Sequence, residues 1–225
     1  MNGRTDQVLS TALTTAAVIM AVAVVKREFW PAPEPLGRGP MAAYFDSTWH
    51  AAAAPAIIVG SPTAPLQLVE FVDFECPVCR QAHHGVVRDL RARFRDSLAI
   101  RYVHFPLEQH RFARFAAQAV ECADRTGAAS AMIDLLFLRQ DSLGIKSWGE
   151  FARDAGIRDT MVFAKCVRSS SFAPRIDSGY ELSRKRNVPG TPSFVLNGWV
   201  IPGILTSAEF IRMAEAVLAG RDPTK

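Results

Sequence analysis

Apolar positions along this chain change period repeatedly, and each change marks an element. Leu66, Leu68, Val69, Phe71, Val72 and Phe74 make a short, strongly apolar strand candidate that runs directly into Cys76, Pro77, Val78 and Cys79. There the pattern turns helical. Val78, Ala82, Val86, Leu90 and Phe94 recur at helical spacing as one apolar face, with Arg91, Arg93 and Arg95 toward the far end, where cations suit the helix dipole. Leu98 to Phe105 alternates as a strand, with Ile100, Tyr102 and His104 on one face and Arg101, Val103 and Phe105 on the other. Strand, helix, strand is the right-handed crossover unit of a parallel sheet. Ile57 to Val59, before Ser61 and Pro62, reads as an edge strand where the folded domain starts.

From His110 to about Asn187 the pattern is helical throughout. Phe112, Phe115, Ala116, Ala119, Val120 and Ala123 form one face ending at Gly127; Met132, Ile133, Leu135, Leu136 and Phe137 continue in a second helix. Ser147 to Ala155, Asp159 to Val167 and Ala173 to Arg186 supply shorter ones, and Ser147 with Glu150 fits a capping box. Ser193 to Leu196, a tight turn at Asn197 and Gly198, and Trp199 to Pro202 read as a hairpin. Thr206 to Ala219 closes the domain as an amphipathic helix, with Phe210, Ile211, Ala214, Val217 and Leu218 inward.

The N-terminal region has a different character. Val8 to Val25 carries no charge, and eighteen helical residues span about 27 Å, at the short end for a bilayer. Residues 1–27 are therefore expected to be an uncleaved signal anchor, with a signal peptide cleaved near Ala21-Val22-Ala23 as the alternative. Lys26 and Arg27 follow the run and, read literally, favour a cytoplasmic domain. The cysteine content argues for an oxidising compartment instead. Residues 28–56 are expected to be a proline-rich linker and tether, since Pro31, Pro33, Pro35 and Pro40 with Gly37 and Gly39 prevent regular structure. Within it Tyr44, Phe45 and Trp49 fit a short helix lying on the domain or at a membrane interface.

With 225 residues and 49% hydrophobic side chains the chain can bury one good core. The net charge of +4 comes from dispersed arginines and matches no nucleic-acid motif, so no nucleic-acid partner is expected. Chemistry concentrates at Cys76 and Cys79. Proline is tolerated in the first helical turn, so Pro77 places a helix start at or beside Cys76. Unpaired N–H groups and the positive end of the helix dipole favour ionisation of Cys76, whereas Cys79 lies one turn further in and more buried. One sulfur attacks and the other resolves. A CxxC with His83 and His84 nearby also fits half of a zinc site, but no second CxxC or HxxxH completes it, and no metal is expected. Glu70 lies in an otherwise apolar strand, where burial would raise its pKa enough to exchange a proton with Cys79; a salt-bridged structural acid is the alternative.

The string VEFVDFECPVC, followed much later by Gly190-Thr191-Pro192-Ser193-Phe194 entering a second strand, resembles the thioredoxin superfamily, and within it the bacterial DsbA-like thiol:disulfide oxidoreductases. The resemblance implies an α/β thioredoxin-like fold over residues 57–225, with a helical insertion at about 108–187 between the βαβ half and the C-terminal ββα half. It implies that Cys76 and Cys79 are the redox pair, with Pro77 and Val78 in the active-site loop. Thr191 and Pro192 would form a cis-proline loop opposite the pair that binds incoming peptide, and the family often carries an acid at the Glu70 position. By the same resemblance Cys122 and Cys166 are expected to form a structural disulfide, and His110 to sit where the family often has histidine. The expected function is an extracytoplasmic dithiol oxidase that introduces disulfides into unfolded or reduced exported proteins and is reoxidised by a membrane redox partner, with no cofactor. A reductase or isomerase with the same residues is one alternative; a non-catalytic peptide- or metal-binding module is another. The strongest oxidants of the family often place histidine before the second cysteine, where this chain has Val78. That departure predicts a potential between the roughly −120 mV of such oxidants and the roughly −270 mV of thioredoxin.

Overall fold

The computed structural model describes Met20 and residues 43–169, 171–203 and 205–225. The chain divides into two units, Met1–Met41 and Ala42–Lys225. Of the first, only the helical, exposed Met20 is described, so the expected anchor and most of the expected tether lie outside the described residues. Among the described residues no helix is long and apolar enough to cross a membrane.

The second unit is built on a mixed six-stranded sheet of β1 (Tyr44–Phe45), β2 (Ile57–Val59), β3 (Leu66–Val72), β4 (Leu98–His104), β5 (Ser193–Leu196) and β6 (Trp199–Ile201), in the order β1-β6-β5-β3-β4-β2. β3 lies inside, parallel to β4 and antiparallel to β5. All seven of its residues are buried, because helices cover both faces of the sheet, and that is why its sequence is a near-continuous apolar run. Leu66, Leu68 and Val72 enter the larger core; Val69 and Phe71 enter a second cluster with Trp49, Val103 and Phe105.

A short helix, α1 (Trp49–Ala52), follows β1, and the crossover from β3 to β4 runs through α2 (Pro77–Ala82), one π turn at His83–Val87, and α3 (Arg88–Phe94). The insertion comprises α4 (Ala113–Asp124), α5 (Ala129–Leu138), α6 (Trp148–Asp154), α7 (Thr160–Arg168) and α8 (Ala173–Lys185). The closing helix, α9 (Ser207–Leu218), carries a capping box between Thr206 and Glu209, as α6 does between Ser147 and Glu150. Asn197 (φ 45°) and Gly198 (φ 94°) make the tight turn between β5 and β6.

Three expectations need correction. The folded unit starts before residue 57: Tyr44 and Phe45 pair with Val200 and Trp199, and Trp49, Ala53 and Ala56 are buried against the sheet, so residues 43–56 belong to the domain and not to a tether. The cluster of prolines ends at Pro40, and between it and Pro55 the chain has room for a short strand and a helical turn, with Trp49 buried. In α4, Phe115 is exposed while Ala117, Gln118 and Glu121 are buried, because the helix packs against several neighbours at once and a one-faced reading misjudges which side is out. In α9, Leu218 is exposed and Met213 and Ala216 are buried instead, a rotation of the inward stripe by about one residue.

The insertion docks on the sheet through polar groups the periodicity does not show. His104 Nε2 of β4 shares a hydrogen bond with Glu121 Oε1 of α4 at 2.8 Å, and Arg175 Nε of α8 reaches the same oxygen at 3.2 Å. Both His104 and Glu121 are buried. Cys122 of α4 and Cys166 of α7 are joined by a disulfide.

Candidate active site

Where β3 ends, the chain turns through Asp73, Phe74 and Glu75, and Cys76 caps the start of α2 with an extended backbone (φ −71°, ψ 122°). The turn is closed by the Cys76 N–H donating to the Asp73 carbonyl at 3.1 Å, and the first helical bond runs from Arg80 N–H to the Cys76 carbonyl, also at 3.1 Å. Pro77 occupies the first turn, where its missing N–H costs nothing. Both cysteines are free thiols. Cys76 is 5% exposed and Cys79 fully buried.

The second half of the site comes from the far end of the sequence. Because β5 runs antiparallel to β3, with Ser193 opposite Phe71, its first residues arrive beside the cysteine turn. The Thr191–Pro192 peptide bond is cis, and the Cys76 Sγ donates to the Thr191 carbonyl at 3.4 Å. The arrangement therefore brings together Cys76, Cys79, Pro77, Val78, Thr191 and Pro192, with Glu70 beneath them. Cys122 and Cys166 lie in the insertion and are not part of this group.

The electrostatics separate the two thiols. A hydrogen bond from the Cys79 thiol, followed by the N–H groups of Cys79 and Val78 at the helix start, outweighs burial and holds the Cys76 thiol down to about 5. Burial, then the hydrogen bond with Cys76 and the charge of Glu70, pushes the Cys79 thiol far up. Glu70 lies between Tyr102 and Phe194 on the neighbouring strands. Neither of its carboxyl oxygens has a hydrogen-bond partner. Burial first, and the Cys76 charge second, push its pKa up to about 8. Of the two roles left open by the sequence, a salt-bridged acid is thus not what this geometry provides.

Three residues that pattern reasoning passed over hold the cysteine turn. Asp73 accepts from Glu75 N–H at 2.7 Å, from Leu107 N–H at 2.8 Å, and bonds His110 Nδ1 at 2.7 Å. Glu75 accepts from the Phe112 N–H. Gln140, in a short 3₁₀ turn after α5, donates its side-chain amide to the carbonyls of Phe74 and Cys76, both at 3.0 Å. Asp73 and Glu75 stood in view as acids beside the CxxC. Gln140 gave no signal, being one polar residue at the end of an apolar helix.

His83 stacks on Phe137 with ring centroids 4.6 Å apart and bonds Asp134 at 2.9 Å, which assigns it to packing of α5. Among the described residues no group of three or more His, Cys, Asp or Glu side chains is arranged to hold a metal ion. Arg80 pairs with Asp141 at 2.9 Å on the surface.

The family model described as thioredoxin matches residues 53–216. Among solved structures the fold is similar to oxidised BdbD from Bacillus subtilis, with 21% identity over 80% of this chain and 98% of that one and a TM-score of 0.65. It is also similar to alpha-DsbA1 from Wolbachia pipientis, at 17% identity over 73% and 92% and a TM-score of 0.62. The catalytic domain of ScsC from Proteus mirabilis matches at 23% identity over 76% and 96%, with a TM-score of 0.59. Curated relatives carry another name: a segment of the Na(+)/H(+) antiporter NhaA 1 of Mycolicibacterium gilvum is 38% identical over 160 residues, 70% of this chain but 26% of the antiporter. NhaA 3 of Salinispora tropica is 37% identical over 142 residues, 62% of this chain and 21% of that protein. The chain thus spans about a quarter of the length of the curated relatives it matches. The chain belongs to the thioredoxin family, and its fold is that of the DsbA-like members, in which a helical insertion divides the thioredoxin sheet.

Proposed function

We propose that the protein is a thiol:disulfide oxidoreductase that acts as a dithiol oxidase through Cys76 and Cys79. The observation that carries this reading is the opposed environment of the two thiols: one held down to about 5 at a helix start, the other pushed up in the core. In the oxidising direction a substrate thiolate attacks the Cys76 sulfur of a Cys76–Cys79 disulfide. The sulfur–sulfur bond breaks, Cys79 leaves with the electron pair, and a mixed disulfide forms. Cys79 needs a proton at that moment, and a carboxyl with a pKa of about 8 is still protonated at neutral pH and can supply it. A second substrate thiolate then attacks the substrate sulfur of the mixed disulfide. Cys76 departs as a stabilised thiolate, a good leaving group, and the substrate carries the new disulfide. Two electrons remain on the protein's dithiol.

Because the thiolate stabilises the reduced form, the equilibrium favours donation of disulfides. Reduced or unfolded exported proteins are the substrates this implies, approaching the Thr191–Pro192 loop, and a membrane redox partner is the class of protein that would remove the electrons. An extracytoplasmic site of action fits both, and the Cys122–Cys166 disulfide supports it. The antiporter designation belongs to the longer relatives.

Equilibration of residues 42–225 in glutathione buffers, with each cysteine pair followed by mass, tests the reading. A potential for Cys76 and Cys79 above about −200 mV is expected of a disulfide donor. A value near the roughly −270 mV of thioredoxin would make the protein a reductase with the same residues.

A further inference from the structure

Pro77 lacks an N–H, so the Cys76–Pro77 peptide can be held only through its carbonyl. That carbonyl accepts from Arg80 N–H at 3.1 Å and from Gln140 Nε2 at 3.0 Å, which uses both of its lone pairs. The same amide donates to the Phe74 carbonyl at 3.0 Å. One buried amide group thus fixes the two peptide planes on either side of Glu75 and the nucleophile Cys76. Gln140 is 8% exposed and belongs to the helical insertion, 64 residues from Cys76. Its neighbour Asp141 pairs with Arg80 one turn into α2, so the same 3₁₀ turn grips the motif on both sides of the redox pair.

We infer that Gln140 is a positioning residue for the redox reaction: by pinning the Phe74 and Cys76 carbonyls it sets the rotation of the Cys76–Pro77 peptide that aims the Cys76 sulfur at the N–H groups of the helix start. Without the amide, two buried carbonyls lose a donor. The Cys76 backbone is then free to turn, and the sulfur leaves the alignment in which Val78 and Cys79 N–H groups face it. The thiolate loses stabilisation, the reduced form with it, and the pair becomes a weaker oxidant. This rests on the proposed oxidoreductase reading.

The test uses Gln140→Met, which keeps the shape and removes both donors, and Leu136→Ala, which removes a fully buried side chain of α5 and leaves the Gln140 amide in place. Thiolate absorbance near 240 nm is titrated in each reduced protein, and the Cys76/Cys79 equilibrium with glutathione is measured beside it. Gln140→Met is expected to raise the Cys76 pKa by one unit or more and to shift the redox equilibrium about tenfold toward the disulfide, about 30 mV. Leu136→Ala is expected to lower the melting temperature and leave both readings at the wild-type values. A Gln140→Met protein that titrates as wild type overturns the inference, as does an equal shift in Leu136→Ala, which would mark a general loosening. A wild-type Cys76 that titrates near 9 overturns the proposed function together with this inference, so the two failures are distinguishable.

Discussion

Cys76 and Glu70 answer to pH in opposite senses, and both answers can be measured. Cys76 is depressed to about 5 from an ordinary value of 9.0, so its contribution to the reduced protein is fully present above pH 9 and is lost as pH falls through 5. At pH 7 it is worth roughly 2 to 3 kcal/mol. Alkylation by iodoacetamide should therefore reach half its maximal rate at about pH 5 for Cys76, while Cys79 stays unmodified in the native protein through pH 9; a Cys76 midpoint above pH 8 would contradict the assignment. Glu70 is raised to about 8 from 4.5. Its neutral form is the favoured one, so stability falls as pH rises from 4.5 to 8. Glu70→Gln should remove that fall and stabilise the reduced protein at pH 8 by roughly 3 to 5 kcal/mol, with little change at pH 4.5, as read by urea unfolding. The same variant should slow disulfide donation at pH 6 to 8, and unchanged rates would eliminate the proton role. Both residues were legible because an ionisable group in an apolar run has few explanations. Gln140 was not, since its significance arises only when the 3₁₀ turn is laid against the cysteine loop, a contact that no local period encodes.

At the scale of elements, two of the insertion's fastenings can be tested singly. The Cys122–Cys166 disulfide closes a segment of 44 residues between α4 and α7, and replacing both cysteines with alanine should lower stability by about 4 kcal/mol in denaturant unfolding through loop-closure entropy. The other fastening is the close approach of α8 to β4. A Cβ on Gly179 would lie 2.6 Å from the His104 carbonyl oxygen, and Gly179→Ala should cost roughly 1 to 3 kcal/mol by forcing the helix outward, visible as a lower melting temperature with the Cys76 titration unmoved. Helix and strand existence could be read from the sequence because the periods are clean. The faces of α4 and α9 could not, because a helix buried on more than one side has no single stripe: Gln118 and Glu121 are inside and Phe115 is outside. The early start of the fold at β1 is illegible for a related reason. Two residues are too short to show a period, and only their pairing with Val200 and Trp199 makes them a strand.

For the molecule as a whole, stabilisation of the Cys76 thiolate links redox state to folding. The reduced protein should melt above the oxidised one at pH 7, the reverse of the usual effect of a disulfide, and the gap should close as pH approaches 5. Calorimetry of both forms across that range checks this, and a more stable oxidised form at pH 7 would rule out thiolate stabilisation as the source of the proposed oxidising power. The pairing of sulfurs also bears on how the molecule is made. Four cysteines allow three connectivities. This structure joins Cys122 to Cys166 and leaves Cys76 and Cys79 to each other, so the cysteines pair consecutively in order of synthesis, first with second and third with fourth. Thr191 follows Cys76 by 115 residues, on the order of ten seconds of ribosomal elongation. During that interval the growing chain holds both sulfurs of the redox pair and no strand to complete their pocket. Sequential oxidation of the emerging thiols would nevertheless give the native connectivity without reshuffling, so correct pairing in this chain needs no correction by a finished copy.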